Sequence, residues 1–582
     1  RTCYEYSVPS SVLIKFLTLP PAVHCTDSSS KGALGEYDRS MSSSAAVAAT
    51  VAVLWTHGAI KRRLANTRRS LLDIEEGELP PLRALSTCAP SLVDMDESLP
   101  TALREWLERY VGEGKAAGMS AIVARHGKIV ANVGVGAEIL GENMTRPFTS
   151  DSLVRMYSMT KPLTTVAVLQ LVERGLVELD APVSRYLPVL EGQWRVLITP
   201  PVDSDAPAKG FPTGASDNGS DDGGMNELEA SIAAAGLDVI VPAKREPTVR
   251  ELLSNTSGLS YGFWNATSVD AWYREARLEL PHKLSAHVDA RRGEAPCASL
   301  AEVVTRLAAL PAQLTFQPGE GWQYSLGTDV LGALVEAVSG ESFDDYIYEH
   351  ITQPLSMAQT SFAISEEIAE EELAACYTHE MSGSFLRLVR LEDGAGYVRR
   401  TVGGEDDVLG DDAAGSAETS TTRTHLPSGG GGLVGTARDY LRFTQALLNG
   451  GILDGKRILS AASVAAMSSD DLIAPGTPAS RNVGAIMGNH TKFGFGFGLG
   501  VKVVRETGAA GRAGRGTSGW GGAAGTVFWF DPLHGIAAVL STQVRPHRAL
   551  GTPRCEFAQI VFDAVRDVDP ALPHTRKAYS GF

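Results

Sequence analysis

The chain has 582 residues, 43% of them apolar, enough for a large core of ordinary composition. Its formal net charge of −16 argues against nucleic acid as a partner, because phosphate binding needs a basic footprint. Six scattered cysteines (Cys3, Cys25, Cys88, Cys297, Cys376, Cys555) form no Cys-x-x-Cys pair, and no His-Glu-x-x-His occurs, so neither a disulfide framework nor a metal mechanism is indicated.

Residues 1–98 read as a leader. Residues 41–72 contain no acid, yet carry Lys61, Arg62, Arg63, Arg68 and Arg69 behind a serine and Ala/Val run. This resembles an organellar transit segment or a short membrane anchor, and a disordered basic leader is the alternative. Without a targeting role for it, the expectation is cytoplasmic. Any membrane association would run through this segment, whose apolar part is short for a spanning helix.

The predicted body is residues 99–547. Leu103, Trp106, Leu107, Tyr110 and Val111 follow helical spacing. Two apolar runs, residues 120–124 and 129–135, flank Arg125 to Lys128 and read as a β-hairpin. Next comes Ser158-Met159-Thr160-Lys161, ahead of a helical pattern over residues 163–173 that stops at Gly175. A serine and a lysine three positions apart share one helical face, so the amine reaches the hydroxyl. An activated serine is a nucleophile for acyl transfer. Pro162 is tolerated only in a first turn, which puts Ser158 at the helix N-terminus, where free N–H groups favour developing negative charge. Lys161, preceding a proline, is biased away from helical angles, which raises the question of local strain. The spacing alone leaves two readings open, a nucleophile or a serine that caps a helix. The same spacing recurs at Ser28 and Lys31, in a polar run with nothing to hold it.

Residues 203–236, 265–300 and 403–428 are rich in loop-forming or irregular sequence and read as insertions. Residues 249–253 are helical. Gly258-Leu259-Ser260-Tyr261-Gly262 matches a nucleophile elbow, but a helix end precedes it and no helical pattern follows, so Ser260 is a weak rival to Ser158. Tyr324, in a turn before a helix at residues 329–339, is placed to point into a cleft and share a proton with Lys161; a buried core tyrosine is the plain alternative. Further helices are expected at residues 342–348 and 436–448. Residues 494–504 alternate Phe or Leu with Gly and read as one strand, without the spacing of a phosphate loop. Trp520-Gly521-Gly522-Ala523 precedes a second hairpin, residues 525–530 and 536–542, and an N–H from this stretch suits an oxyanion. A glycine bulge around a packed tryptophan is the alternative. A C-terminal helix and tail occupy residues 548–582. Strands at both ends and helices between them predict an α/β (α+β) fold: an antiparallel sheet flanked by helices, formed from both chain ends, with an inserted, mostly helical lobe.

Taken in order, residues 156–162, Leu187-Pro188, residues 252–259, 316–319, 330–332, 353–357, 429–436, 494–498 and 520–529 resemble the serine β-lactamase-related superfamily, in its class C-type esterase and transesterase branch. The resemblance covers residues 101–545 apart from the insertions. It implies a β-lactamase/transpeptidase-like fold and an acyl-enzyme on Ser158, with Lys161 in proton transfer and Tyr324 as general base and acid. It also implies Ala523 as second oxyanion donor, within the substrate-binding stretch Trp520, Gly521 and Gly522. No cofactor and no metal are implied, and the partner is a small-molecule ester. Two departures matter. Leu326 stands where β-lactamases and penicillin-binding proteins have asparagine, and Trp520 where they have lysine or histidine. An uncharged, aromatic-lined site suits an ester better than a carboxylated β-lactam. A β-lactamase or D-alanyl peptidase is the nearer alternative, and a catalytically silent binding module the one from another class.

Overall fold

The computed structural model describes residues 85–140, 146–198, 238–278, 297–362, 373–391 except 383–384, 426–469, 494–508 and 511–567. Residues 1–84, the insertion at 203–236, half of that at 265–300 and most of that at 403–428 lie outside them.

An eight-stranded sheet organises the body, and its strands come from both parts of the chain. β1 (Ser86–Thr87), β2 (Gly118–Arg125) and β3 (Lys128–Gly136) precede the helical middle. β4 (Phe495–Phe497), β5 (Lys502–Val504), β6 (Ser518–Gly521), β7 (Val527–Asp531) and β8 (Ile536–Thr542) follow it. The order is β1-β3-β2-β8-β7-β6-β5-β4, antiparallel except where β1 runs parallel to β3. The two chain halves join along β2 and β8, from Ile536 opposite Arg125 to Thr542 opposite Met119. The β2–β3 turn is two residues long, His126 and Gly127, both at positive φ (49° and 74°), which matches the twist of a tight hairpin.

Strand periodicity decides which side chains face which layer. Met119, Ala121 and Val123 of β2, with Trp529 of β7 and Ala538 of β8, join one core cluster. Ile122 and Ala124, with Phe528, Phe530, Ala537 and Val539, join the other. The first face is covered by α1 (Leu99–Gly112); of its expected apolar stripe Leu103, Trp106, Leu107 and Tyr110 are buried and Val111 is partly exposed. α1 in turn packs with the C-terminal helix α10 (Pro553–Asp563), where Glu556 accepts from Trp106 Nε1 at 2.8 Å and Arg109 Nη2 at 2.7 Å. Residues 85–98, grouped with the leader by sequence, pack on this body: β1 pairs with β3 and Met95 is fully buried.

The second face carries α2 (Thr160–Glu173), α3 (Val249–Ser254), α4 (Ser268–Glu275), α5 (Leu300–Ala308), α6 (Gly327–Ser339), α7 (Phe343–Ile347), α8 (Ala437–Leu448) and α9 (Ala461–Met467), which draw on its core cluster. α2 has no polar face: every residue from Thr160 to Leu171 is buried, as befits a central helix. Two readings need correction. Residues 494–504 form two strands rather than one, because the chain reverses between Phe497 and Lys502, which pair with each other. Residues 268–275, read as irregular, form α4, started by a capping box in which Thr267 and Asp270 satisfy each other's N–H groups. No described helix is long and apolar enough to cross a membrane.

Candidate active site

Ser158 sits in a single 3-10 turn, Tyr157–Met159, that runs straight into α2. It is partly exposed between two buried neighbours. The residue before it, Tyr157, has φ +47°, a left-handed conformation that costs a bulky residue about 1–3 kcal/mol. The surroundings hold it there. Met156 N–H donates to Leu433 O at 2.9 Å, Thr160 Oγ1 to Tyr157 O at 2.7 Å, and Leu433 N–H to Thr160 Oγ1 at 3.1 Å. The Tyr157 ring is buried, with the Arg545 guanidinium 5.1 Å from its centroid. Burial, and then Cys376 beside it, push its phenol well above the ordinary range, so Tyr157 stays neutral and is scaffold. Met159, not Ser158, is the helix N-cap, and no side chain caps that end. The capping alternative for Ser158 therefore fails. Lys161 takes the second helical position, and the positive φ in this stretch lies at Tyr157.

Lys161 is 2% exposed. Its Nζ donates to Tyr261 Oη at 2.8 Å and to Gly430 O at 2.7 Å. It also lies 4.6 Å from the centroid of the Tyr324 ring and 5.2 Å from that of Tyr261. The Gly430 carbonyl is fixed from behind, since Gly430 N–H donates to Asp329 Oδ1 at 3.1 Å and Ser428 Oγ donates to the same oxygen. Asp329, in the first turn of α6, thus aims a loop that the sequence reading left without a role.

Tyr324 is half-buried just before α6 and is stitched to residues 255–264. Gln323 N–H donates to Asn255 O at 2.9 Å, Leu326 N–H to Ser260 O at 3.1 Å, and Trp264 Nε1 to Tyr324 O at 3.0 Å. Its ring lies 5.5 Å from those of Tyr261 and Trp520, and Trp520 Nε1 reaches its hydroxyl at 3.5 Å. Trp520 stands edge-on to Phe497, 5.2 Å away, and Phe263, 43% exposed, stacks on Tyr261 at 4.7 Å. An aromatic wall thus runs from Phe497 to Phe263 past Lys161.

The glycines beside Trp520 make close approaches. A Cβ on Gly522 would lie 2.4 Å from Met156 O, two residues before Ser158. Ala523 lies beyond the last ladder pair of β6 and β7, Gly521 with Val527, in a turn closed by Gly522 N–H on Thr526 O at 2.9 Å. A Cβ on Gly521 would lie 2.6 Å from Arg554 Cζ, so the lining is aromatic but not uncharged. Arg554 donates to Gly522 O and, at 2.9 Å, to Thr526 O. Leu326, at the departure from the asparagine pattern, is fully buried and turned into the core.

Ser260 stands apart chemically. It is 2% exposed and its hydroxyl donates to Asp270 Oδ1 at 2.6 Å. A turn after α3 precedes it and a 3-10 turn, Gly262–Trp264, follows, so the strand–elbow–helix context is absent.

Tyr261, Asp329, Gly430 and Arg554 went unnoticed in the sequence reading. Only Gly430 falls inside a stretch that carried the family resemblance, residues 429–436; Tyr261 stands in the Gly258–Gly262 segment, two residues past another such stretch.

The sequence profile of the Beta-lactamase family matches residues 103–554. An uncharacterized protein of Mycobacterium tuberculosis is 32% identical over 390 residues, 66% of this chain and 76% of that protein. Esterase EstB of Burkholderia gladioli is 29% identical over 461 residues, 78% of this chain and 93% of its own length. Among solved structures, EstCE1, described as a hydrolase with promiscuous acyltransferase activity, gives a TM-score of 0.52 at 24% identity, covering 81% of this chain and 99% of that one, a likeness of fold. With the family profile spanning the helices and both halves of the sheet, the chain belongs to the Beta-lactamase family, as an enzyme related to its esterases.

Proposed function

We propose that this chain hydrolyses carboxylic esters through an acyl-enzyme on Ser158. The observation that carries the reading is the Lys161 amine, buried one helical turn after Ser158, bonded to Tyr261 and Gly430 and lying 4.6 Å from the Tyr324 ring. Ser158 Oγ attacks the substrate carbonyl carbon, and its proton passes to Tyr324 with Lys161 beside it. The N–H groups of Ser158 and Ala523 hold the oxyanion as the carbonyl bond opens. When the intermediate collapses, the ester C–O bond breaks and the alcohol leaves with the proton from Tyr324. Water then attacks the acyl-enzyme and frees the acid; an alcohol in its place completes an acyl transfer. No step calls on a cofactor or a metal.

Two tyrosines flank the lysine, and burial separates their roles. Tyr261 is 1% exposed, whereas Tyr324 is open on one side and meets the Trp520 wall. We therefore assign proton exchange with substrate to Tyr324 and the fixing of Lys161 to Tyr261. The aromatic wall favours esters with apolar acyl or alcohol groups. EstB carries the name of an esterase, which supports the ester over the β-lactam.

Brief exposure to a fluorophosphonate or an activated acyl donor, followed by peptide mass spectrometry, is the test. The adduct is expected on Ser158. An adduct on Ser260, or no labelling of folded protein, overturns the reading. Turnover of short-chain p-nitrophenyl esters with and without added alcohol separates hydrolase from transferase, and nitrocefin tests the β-lactamase alternative.

A further inference from the structure

We propose that Arg554, on the C-terminal helix, is a positioning residue for this reaction: it holds the turn that carries Ala523 and sets a fixed positive charge beside Tyr324. The inference rests on the roles given above to Ser158, Tyr324 and Ala523.

Three observations carry it. First, one guanidinium nitrogen of Arg554 donates to both Gly522 O and Thr526 O, the carbonyls at the two ends of the turn between β6 and β7. Gly522 N–H on Thr526 O at 2.9 Å and Gly525 N–H on Gly522 O at 3.2 Å complete that turn. Ala523 lies between the two carbonyls, so the cation fixes the direction of the intervening N–H groups. Second, the chain leaves room for it. Any side chain at Gly521 would run into the guanidinium, with Cζ, Nη1 and Nη2 all 2.6–2.8 Å from a built Cβ. Third, the guanidinium lies against Gly521, whose chain neighbour Trp520 reaches the Tyr324 hydroxyl with Nε1 at 3.5 Å, and this puts the cation near that phenol. Burial pushes the guanidinium down to about 10, while Cys555 and Tyr324 favour its charge. The attraction is mutual, so the cation favours the phenolate that a general base requires. Other titratable groups surround the pair: Lys161 and Tyr261 against the Tyr324 ring, and Lys502, His547 and Cys555 around Arg554.

The test uses the full chain and three substitutions, Arg554→Met, Arg554→Lys and Gly521→Ala, with kcat and KM for a p-nitrophenyl ester followed across pH. Arg554→Met is expected to lower kcat by about 10²-fold, as loss of an oxyanion donor does, with KM little changed. The acid limb of its kcat/KM profile moves to higher pH. Arg554→Lys keeps the limb near its original place, because the charge remains, but recovers kcat only in part, because an ammonium does not span both carbonyls. Gly521→Ala, which displaces the guanidinium while leaving it charged, lowers kcat alone, yet combined with Arg554→Met it costs no more than the larger single effect. A limb that stays put in Arg554→Met, or additive losses in the double variant, overturns the proposal. Where Arg554→Met does not fold, Arg554→Lys and Gly521→Ala decide it: undiminished kcat in both rejects it. Failure of the underlying reading looks different, since Ser158→Ala would then keep its turnover.

Discussion

Tyr324→Phe removes one oxygen and keeps the ring. The ring stays fixed by contacts that do not need the hydroxyl: Lys161 Nζ 4.6 Å from its centroid and the Tyr261 and Trp520 rings at 5.5 Å. On the proposed mechanism, what disappears is the proton carrier. A positioned general base contributes roughly 10²–10⁴-fold, which is about 3–5 kcal/mol of barrier at 1.36 kcal/mol per tenfold. kcat should fall by that factor with KM and Tm nearly unchanged. Tyr261→Phe gives the contrasting result. It strips an acceptor at 2.8 Å from a buried amine, at a cost of roughly 1–3 kcal/mol in stability. Its Tm should drop, and its kcat should suffer less than that of Tyr324→Phe. Initial rates on p-nitrophenyl acetate, with thermal melts of both variants, make the comparison. A Tyr324→Phe enzyme within tenfold of wild type, beside a Tyr261→Phe enzyme that melts normally but is inert, would show that the buried phenol is the base and that the burial argument is wrong.

Gly522→Ala puts a methyl group 2.4 Å from Met156 O and 2.2 Å from Thr526 Oγ1, so either the Ser158 turn or the Ala523 turn must move; a loss of about 10²-fold or more in kcat is expected from steady-state rates. Ser260→Ala should cost about 1–2 kcal/mol in urea melts through the lost bond to Asp270, while probe labelling of Ser158 persists; loss of labelling with normal stability would restore the elbow reading. His547 provides a pH test. Burial first, then Arg554 and Arg548, hold its imidazole down to about 3 from an ordinary 6.5. The unfolded chain therefore takes up a proton near 6.5 that the folded protein refuses until about 3, and stability is lost as pH falls through that window. His547→Asn should flatten the decline in urea midpoint between pH 7 and 4.5; an unchanged slope would place the titration elsewhere.

Local pattern was readable where one segment holds all the information. The β2–β3 hairpin followed from two apolar runs around His126-Gly127, and α8 matches the helix expected at residues 436–448, where the Thr436 hydroxyl accepts from Asp439 N–H at 3.1 Å. The start of α4 was readable too, in Thr267 and Asp270, but it was overlooked inside a stretch judged irregular. The split of residues 494–504 was hidden because Leu499 and Val501 continue the alternation through the turn. Both departures from the family pattern were visible, yet their surroundings were not: Trp520 was seen as an uncharged wall because Arg554 lies 34 positions away, on a helix that shares no local pattern with it. Tyr261 and Lys161 are likewise 100 positions apart. Long-range contacts of this kind leave no periodicity to read.

The four-residue spacing of serine and lysine occurs twice in the chain, at Ser28 and at Ser158, so the spacing by itself specifies nothing. The copy at Ser158, which lies among the described residues, is held by several distant segments. Leu433 and Thr160 clamp the turn in front of α2, Gln543 brackets Arg155 through Arg155 N–H at 3.1 Å and Arg155 O at 3.2 Å, and Gly522 lies against Met156. These contacts come from the 430s loop, the end of β8 and the end of β6, and each joins the turn within three residues of Ser158. Together they offset a backbone conformation at Tyr157 that costs about 1–3 kcal/mol and that an isolated turn would relax. The strain is informative for that reason: a fold tolerates it only where its layers fix a residue from several sides. Here that residue immediately precedes the one hydroxyl in the motif that stays partly open to solvent.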